Sequence, residues 1–235
     1  SLSVLEDLKN TNSSISNYET IYEKSPDLRG LSVALLFAPE KLNLIEYKTL
    51  NFQLDDNNPF PTRDILQATF TINSKKIHVF VLHLPSKREG NIKKKQREYI
   101  LTELKNCIIE ITNKQESVIV MGDFNEDPKE ESIKNFCVNN GENFLANPFE
   151  AFYYEKRYTS FHHKNGVVFD QIIFSEEIIL RELNYKSINA EIYNSPRLRN
   201  KDHKHSQYPL RTHSGSRYLG GYSDHFPVLI QLVKD

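Results

Sequence analysis

The chain has 235 residues, enough for one large domain or two small ones, and 38% of them are hydrophobic and 11% aromatic, with no Trp, which supplies a core rich in Phe and Tyr. A formal net charge of −1 excludes a polycation that holds nucleic acid through a global field, so affinity for polyanions has to come from local patches. No apolar run approaches a membrane span, and the two cysteines, Cys107 and Cys137, sit on apolar helical positions and read as buried thiols rather than a disulfide or a metal site.

The chain opens SLSVLEDLK, the middle of a helix, with neither initiator Met nor signal peptide, and is expected to be a fragment or a processed product. Short β-branched or aromatic segments follow: YETIYE (18–23), LSVALLF (31–37), NLIEYKTL (43–50), ILQATFTI (65–72) and KIHVFVLHL (76–84). The last two predict a hairpin turning at Asn73-Ser74. Asn91 to Asn113 is the clearest helix, with Ile100, Leu104, Cys107, Ile108 and Ile111 on one face. The strand SVIVM (117–121) comes next, and Asp127 is placed to cap a helix from Pro128 that carries Ile133, Phe136 and Cys137. FDQIIFS (169–175) and HFPVLIQLV (225–233) are two further strands. Strands outnumber helices and no linker divides the chain, which predicts a single α+β or layered α/β domain. Ser195 to Tyr222 lacks a periodic pattern, and a stretch of that length in a compact domain is usually functional or disordered.

Polar groups stand at the ends of four apolar strands: His83 in VFVLHLPSK, Asp123 and Asn125 in VIVMGDFN, Asp170 in VVFDQIIF, and Asp224-His225 in GYSDHFPVLIQL. Each alone has an ordinary explanation as a rim residue, a turn or a strand start. Together they are carboxylates, an amide and two imidazoles at strand ends, where sites tend to lie in sheets. Carboxylate and amide oxygens suit hard ions such as Mg²⁺, and an Asp behind a His stabilises imidazolium. The residue types therefore point to metal-assisted attack on a phosphate ester.

GDFN (122–125), SDHFPV (223–228), the Asp170 strand, HLPS (83–86), TRDI (62–65) and SPDLRGLSVALLF (25–37) together resemble the endonuclease/exonuclease/phosphatase superfamily, in order along essentially the whole chain. The resemblance implies a four-layer α/β sandwich of two packed mixed β-sheets flanked by helices. It implies that Asp123 orients or deprotonates the attacking water, Asn125 helps hold the transition state, and Asp224, with Asp123, approaches a metal. By the same resemblance His225 contacts the scissile phosphate or acts as base with Asp170 fixing its ring, His83 faces it across the phosphate, and Arg63 meets phosphate oxygens. The implied cofactor is Mg²⁺, with Mn²⁺ or Ca²⁺ as alternatives. The family's main metal ligand, a Glu on an early strand, and an Asn on the strand before it would fall upstream of Ser1, since Glu6 sits inside the helical run and is a poor substitute.

Two basic stretches flank this constellation. One holds Lys87, Arg88, Lys93, Lys94, Lys95 and Arg97, and the other Arg197, Arg199, Lys201, Lys204, Arg211 and Arg217 with His203, His205 and His213. They read either as solvated surface or as phosphate contacts, with Arg197 and Arg199 as candidate substrate ligands. Phe152, Tyr153 and Tyr154 are candidates for base stacking or for packing. The expected partner is nucleic acid or another phosphate ester, bound by a monomer. A nuclease-like phosphodiesterase leads. A phosphomonoesterase, a lipid-headgroup phosphodiesterase and a non-catalytic binding module remain alternatives.

Overall fold

A computed structural model describes residues 1–52, 61–87, 93–162 and 164–234, without the side chain of His203. Arg88 and the expected helix start at Asn91 lie outside the described residues. Helix α1 (Leu2–Thr11) is followed by β1 (Glu19–Tyr22), β2 (Ala34–Phe37), β3 (Asn43–Leu50), β4 (Ile65–Ile72) and β5 (Lys75–His83). The β4–β5 hairpin turns at Asn73 and Ser74, whose φ values of 51° and 64° are those of a type I′ turn matching the twist of the strands. Helix α2 (Lys94–Thr112) then carries the chain back across the sheet, so that β6 (Ser117–Asp123) can pair parallel to β5.

After α3 (Glu131–Cys137), a small β7 (Val138–Asn139)–β8 (Glu142–Asn143) turn, α4 (Phe149–Tyr154) and the hairpin of β9 (Ser160–His162) and β10 (Asn165–Val167), strand β11 (Asp170–Phe174) pairs antiparallel to β6. The result is a five-stranded mixed sheet of order β11-β6-β5-β4-β3. The chain continues through α5 (Glu176–Leu183), β12 (Ser187–Ile192), the small ladder of β13 (His213–Ser214) and β14 (Arg217–Tyr218), and β15 (Val228–Val233). The Ser195 to Tyr222 stretch is built of short turns closed by backbone bonds such as Leu210 N to Leu198 O and Tyr222 N to Leu210 O.

Alternation along the strands sends their side chains to opposite faces. Phe80, Leu82, Val118, Val120 and Ile173 face α2 and α3, where they meet Ile100, Leu104, Ile108 and Phe136. Ile77, Val79, Phe70, Ile172 and Phe174 face the other way, onto Ile21, Phe37, Phe149, Ile179, Ile192 and Phe226. That second layer holds two antiparallel ladders, β1–β2 and β12–β15. This is the layered α/β sandwich expected from the sequence, with the second layer split into two-stranded ladders.

Local differences have local causes. Asp127 is buried and accepts Val168 N–H at 2.8 Å, so its carboxylate is not available as a helix cap and α3 starts at Glu131 instead of Pro128. Pro227 cannot donate to a ladder, and β15 begins just after it. Cys107 is only half-buried on α2, while Leu101 takes a core position. Phe152 packs in the second core, which settles it as a packing residue.

Gly122 fixes how closely β5 and β6 approach. Its φ is +141°, and a Cβ there would stand 1.9 Å from Leu82 O. Gly122→Ala should lower the free energy of urea unfolding by about 3 kcal/mol or more, since strain and separation of the central pair add together. Gly141→Ala, with φ +84° and nothing near its Cβ, should cost only about 1 kcal/mol. Equal losses would show that the β5–β6 approach is not tight.

Candidate active site

Register does most of the assembly. In the parallel β5–β6 ladder His83 pairs with Asp123, and in the antiparallel β6–β11 ladder Asp123 pairs with Asp170. The three residues therefore form one row across adjacent strands and share a face of the sheet. On that face the row continues the apolar columns Val79-Val81, Ile119-Met121 and Phe174-Ile172, and it lies where those columns end toward the second layer. His83 Nε2 stands 3.4 Å from Asp123 Oδ2.

The second layer supplies the fourth group. His225 Nδ1 donates to Asp170 Oδ2 at 2.7 Å. Strand β9 and Thr159 just before it position both partners. Thr159 Oγ1 accepts Asp170 N–H, Thr159 O accepts Phe226 N–H, and Ser160 Oγ donates to Asp224 O. Ligand atoms of Asp123, Asp170 and His225 all lie within 4.8 Å of one another, so the two carboxylates face each other closely enough to be candidates for sharing a cation.

Asn125 is tied into the same corner. Its backbone has φ 51°, a left-handed conformation that Asn tolerates, and its N–H bonds to Asp123 Oδ1 at 2.8 Å. Its side-chain amide donates to Leu84 O at 2.9 Å and is buried, so Asn125 fastens the β6 end to the chain leaving β5. Asp224 is exposed beside His225, and its carboxylate falls outside the tight cluster.

Arg63 differs from expectation. Its side chain is 2% exposed, and it donates to His83 O, Leu84 O and Asp27 Oδ2 at 2.7, 2.6 and 3.0 Å. Those bonds make it a brace for the end of β5 rather than an open phosphate ligand. Arg97 is likewise fully buried, donating to Glu126 Oε1 at 2.7 Å and to Pro85 O, while Lys87 pairs with Glu126. These residues hold the HLPS loop onto the chain after Asn125. Arg199 donates to the backbone and side chain of Asn194, and Arg197 is exposed on a short turn. Sequence reasoning missed Thr159, Ser160, Asp27 and Glu126. A groove of about 810 Å³ bordered by Asn139, Phe144, Glu150 and Arg181 contains none of these groups.

The charges sort the two histidines. For His83, burial and then the Arg63 and His225 charges push the ring down to about 3, so it is neutral; the ring is 35% exposed, and water softens the magnitude without changing the direction. For His225, burial works downward but is outweighed by the Asp170 hydrogen bond and the Asp170, Asp123 and Asp224 charges, which raise it to about 9. Burial and then the Asp170 charge push Asp123 up to about 7.

A layered α/β fold with an acid–imidazole cluster at one end of its central sheet is thus defined. The chain belongs to the Endonuclease/Exonuclease/phosphatase family, whose sequence profile matches residues 2–234. No curated protein sequence matches it significantly. Solved structures share the fold at low identity. The human Nocturnin catalytic domain with bound sulfate anion is 18% identical (TM-score 0.56), with 79% of this chain covering 66% of that one. D. rerio TDP2 complexed with single strand DNA product is 16% identical (TM-score 0.57; 94% of this chain, 78% of that). The mannosyl-6-phosphatase of Bacteroides thetaiotaomicron VPI-5482 is 19% identical (TM-score 0.61; 97% and 82%). Among the described residues no helix is long and apolar enough to cross a membrane.

The protonation states are open to titration by NMR of the imidazole nitrogens. His225 should stay protonated until near pH 9, and His83 should stay neutral down to strongly acid pH. The linkage signs are opposite. The raised His225 pKa stabilises the fold fully below its unfolded value of 6.5, and this is lost as pH rises through about 9. The depressed His83 pKa favours the fold above 6.5, and that contribution is lost as pH falls toward about 3. Two histidines titrating together near 6.5 would contradict the assigned charges.

Proposed function

We propose that the protein is a divalent-metal-dependent phosphoesterase that cleaves phosphodiesters, acting as a nuclease. The observation that carries the reading is the closure of the His83–Asp123–Asp170 row by His225, bonded to Asp170 at 2.7 Å. In the family to which the chain belongs, the match to nuclease and phosphatase folds supports a hydrolase.

The roles follow from charge and position. Asp123, with its proton affinity raised toward neutrality, is poised to take a proton from the attacking water. His225, held as imidazolium by Asp170, places a donor and a positive charge against the negative phosphate oxygens. Neutral His83, across from Asp123, hydrogen-bonds the ester from the other side. Asn125 keeps the Asp123 turn rigid.

Two half-buried carboxylates brought side by side form a place that favours a cation, and oxygen donors of this kind fit Mg²⁺, with Mn²⁺ and Ca²⁺ sharing the preference. Asp123 and Asp170 would hold it, with Asp224 as a further oxygen donor at the rim. When bound, the ion supplies Lewis-acid stabilisation of charge building on the phosphoryl oxygens.

The test is turnover of bis-p-nitrophenyl phosphate. Activity should require added Mg²⁺ or Mn²⁺, vanish in EDTA, and fall about 10³-fold or more in Asp123→Ala and His225→Ala. Wild-type turnover that survives both substitutions, or its complete absence with either metal in the full-length protein, would contradict the reading. Faster cleavage of p-nitrophenyl phosphate than of the diester would move the assignment to a phosphomonoesterase.

A further inference from the structure

We propose that Arg29 binds a second anionic group of the substrate, beyond the scissile ester, on the His83 side of the site. The inference deepens the phosphoesterase reading and rests on it. It starts from the turn Asp27–Gly30, which is closed by Gly30 N–H bonding to Asp27 O at 2.9 Å and by Asp27 Oδ1 accepting Arg29 N–H at 3.0 Å. The Asp27 side chain is 7% exposed and its other oxygen accepts from Arg63 at 3.0 Å. Arg63 in turn holds His83 O and Leu84 O. A chain of short polar contacts thus fixes this turn to the strand end that carries His83.

Rigidity at the base contrasts with exposure at the tip. Leu28 is 86% exposed, and the Arg29 side chain is 51% exposed. Two guanidinium groups share the single Asp27 carboxylate, the Arg29 Nε contact being the longer at 3.5 Å. This trio keeps one uncompensated positive charge, and it lies on the exposed partner. The Arg63 bonds to His83 O and Leu84 O set that charge beside the end of β5. A solvated surface arginine would explain the exposure alone. It would not explain why a buried ion pair clamps the turn to the catalytic row. An exposed apolar residue beside the cation suits a ligand with an organic moiety next to its second charge.

The same chemistry is offered by the flanking phosphodiester of a nucleic acid and by the second phosphate of a small bisphosphate, and two probes separate them. Binding of fluorescein-labelled pentathymidylate by anisotropy, and of fructose 1,6-bisphosphate by calorimetry, would be measured in EDTA at low salt for the wild type, Arg29→Gln and Arg29→Lys. Loss of one charge-assisted contact predicts about tenfold weaker binding by Arg29→Gln, and about 0.7 less salt slope on the single strand, with Arg29→Lys keeping most of the affinity. The probe whose affinity depends on Arg29 identifies the source of the second anion. Equal affinity of wild type and Arg29→Gln for both probes, or no binding of either by the wild type, overturns the proposal. Turnover of bis-p-nitrophenyl phosphate by the wild type, followed separately, tests the phosphoesterase reading on its own.

Discussion

The register between β5, β6 and β11 is the constraint on which the site depends. Side chains on a strand alternate with a period of two, so a slip by one residue would turn Asp123 from the second layer toward α2 and bury a carboxylate in an apolar core. Parallel pairing of β5 with β6 brings His83 level with Asp123, and antiparallel pairing of β6 with β11 brings Asp170 level with both. The close passage of Gly122 by Leu82 O keeps the central pair in contact at the point where the row forms. The apolar columns behind the row make any other register costly.

Around that row, buried ion pairs separate structural from chemical work. Arg63 with Asp27 and Arg97 with Glu126 are hidden pairs that hold the loops after β5 and β6. Breaking a pair of this kind strands a buried charge, at a cost of about 3–5 kcal/mol. Their cations are committed to carbonyls and carboxylates of the frame. Arg29 and Arg197 are exposed, and Arg29 makes the longer contact with Asp27, at 3.5 Å. The opposite charge states of His83 and His225 come from the same division. One ring sits near the Arg63 brace, and the other is bonded to Asp170 and surrounded by acids.

Much of this was legible in the sequence because periodicity reports burial directly. NLIEYKTL and ILQATFTI match β3 and β4 residue for residue, and the Asn73-Ser74 turn falls as its residue types require. Polar residues ending apolar strands marked His83, Asp123, Asp170 and His225, since strand-end chemistry is written locally. What could not be read was pairing across the chain. Arg63 looks like a phosphate ligand until Asp27 is placed beside it, and Arg97 looks like surface charge until Glu126 is. Asp127 has the spacing of a helix cap, but Val168 N–H claims its carboxylate. Helices α4 and α5 are short and amphipathic, and their packing against the second core is decided by tertiary contacts rather than propensity.

The central claim is that His83 from the sheet and His225 from the second layer act on one bound phosphate. Double-mutant kinetics measure this most directly, because groups that serve a single transition state lose activity non-additively. kcat/KM for bis-p-nitrophenyl phosphate in His83→Ala, His225→Ala and the double variant should show the double within about threefold of the worse single. Losses that multiply would mean that the two histidines work independently, and the shared pocket would be refuted.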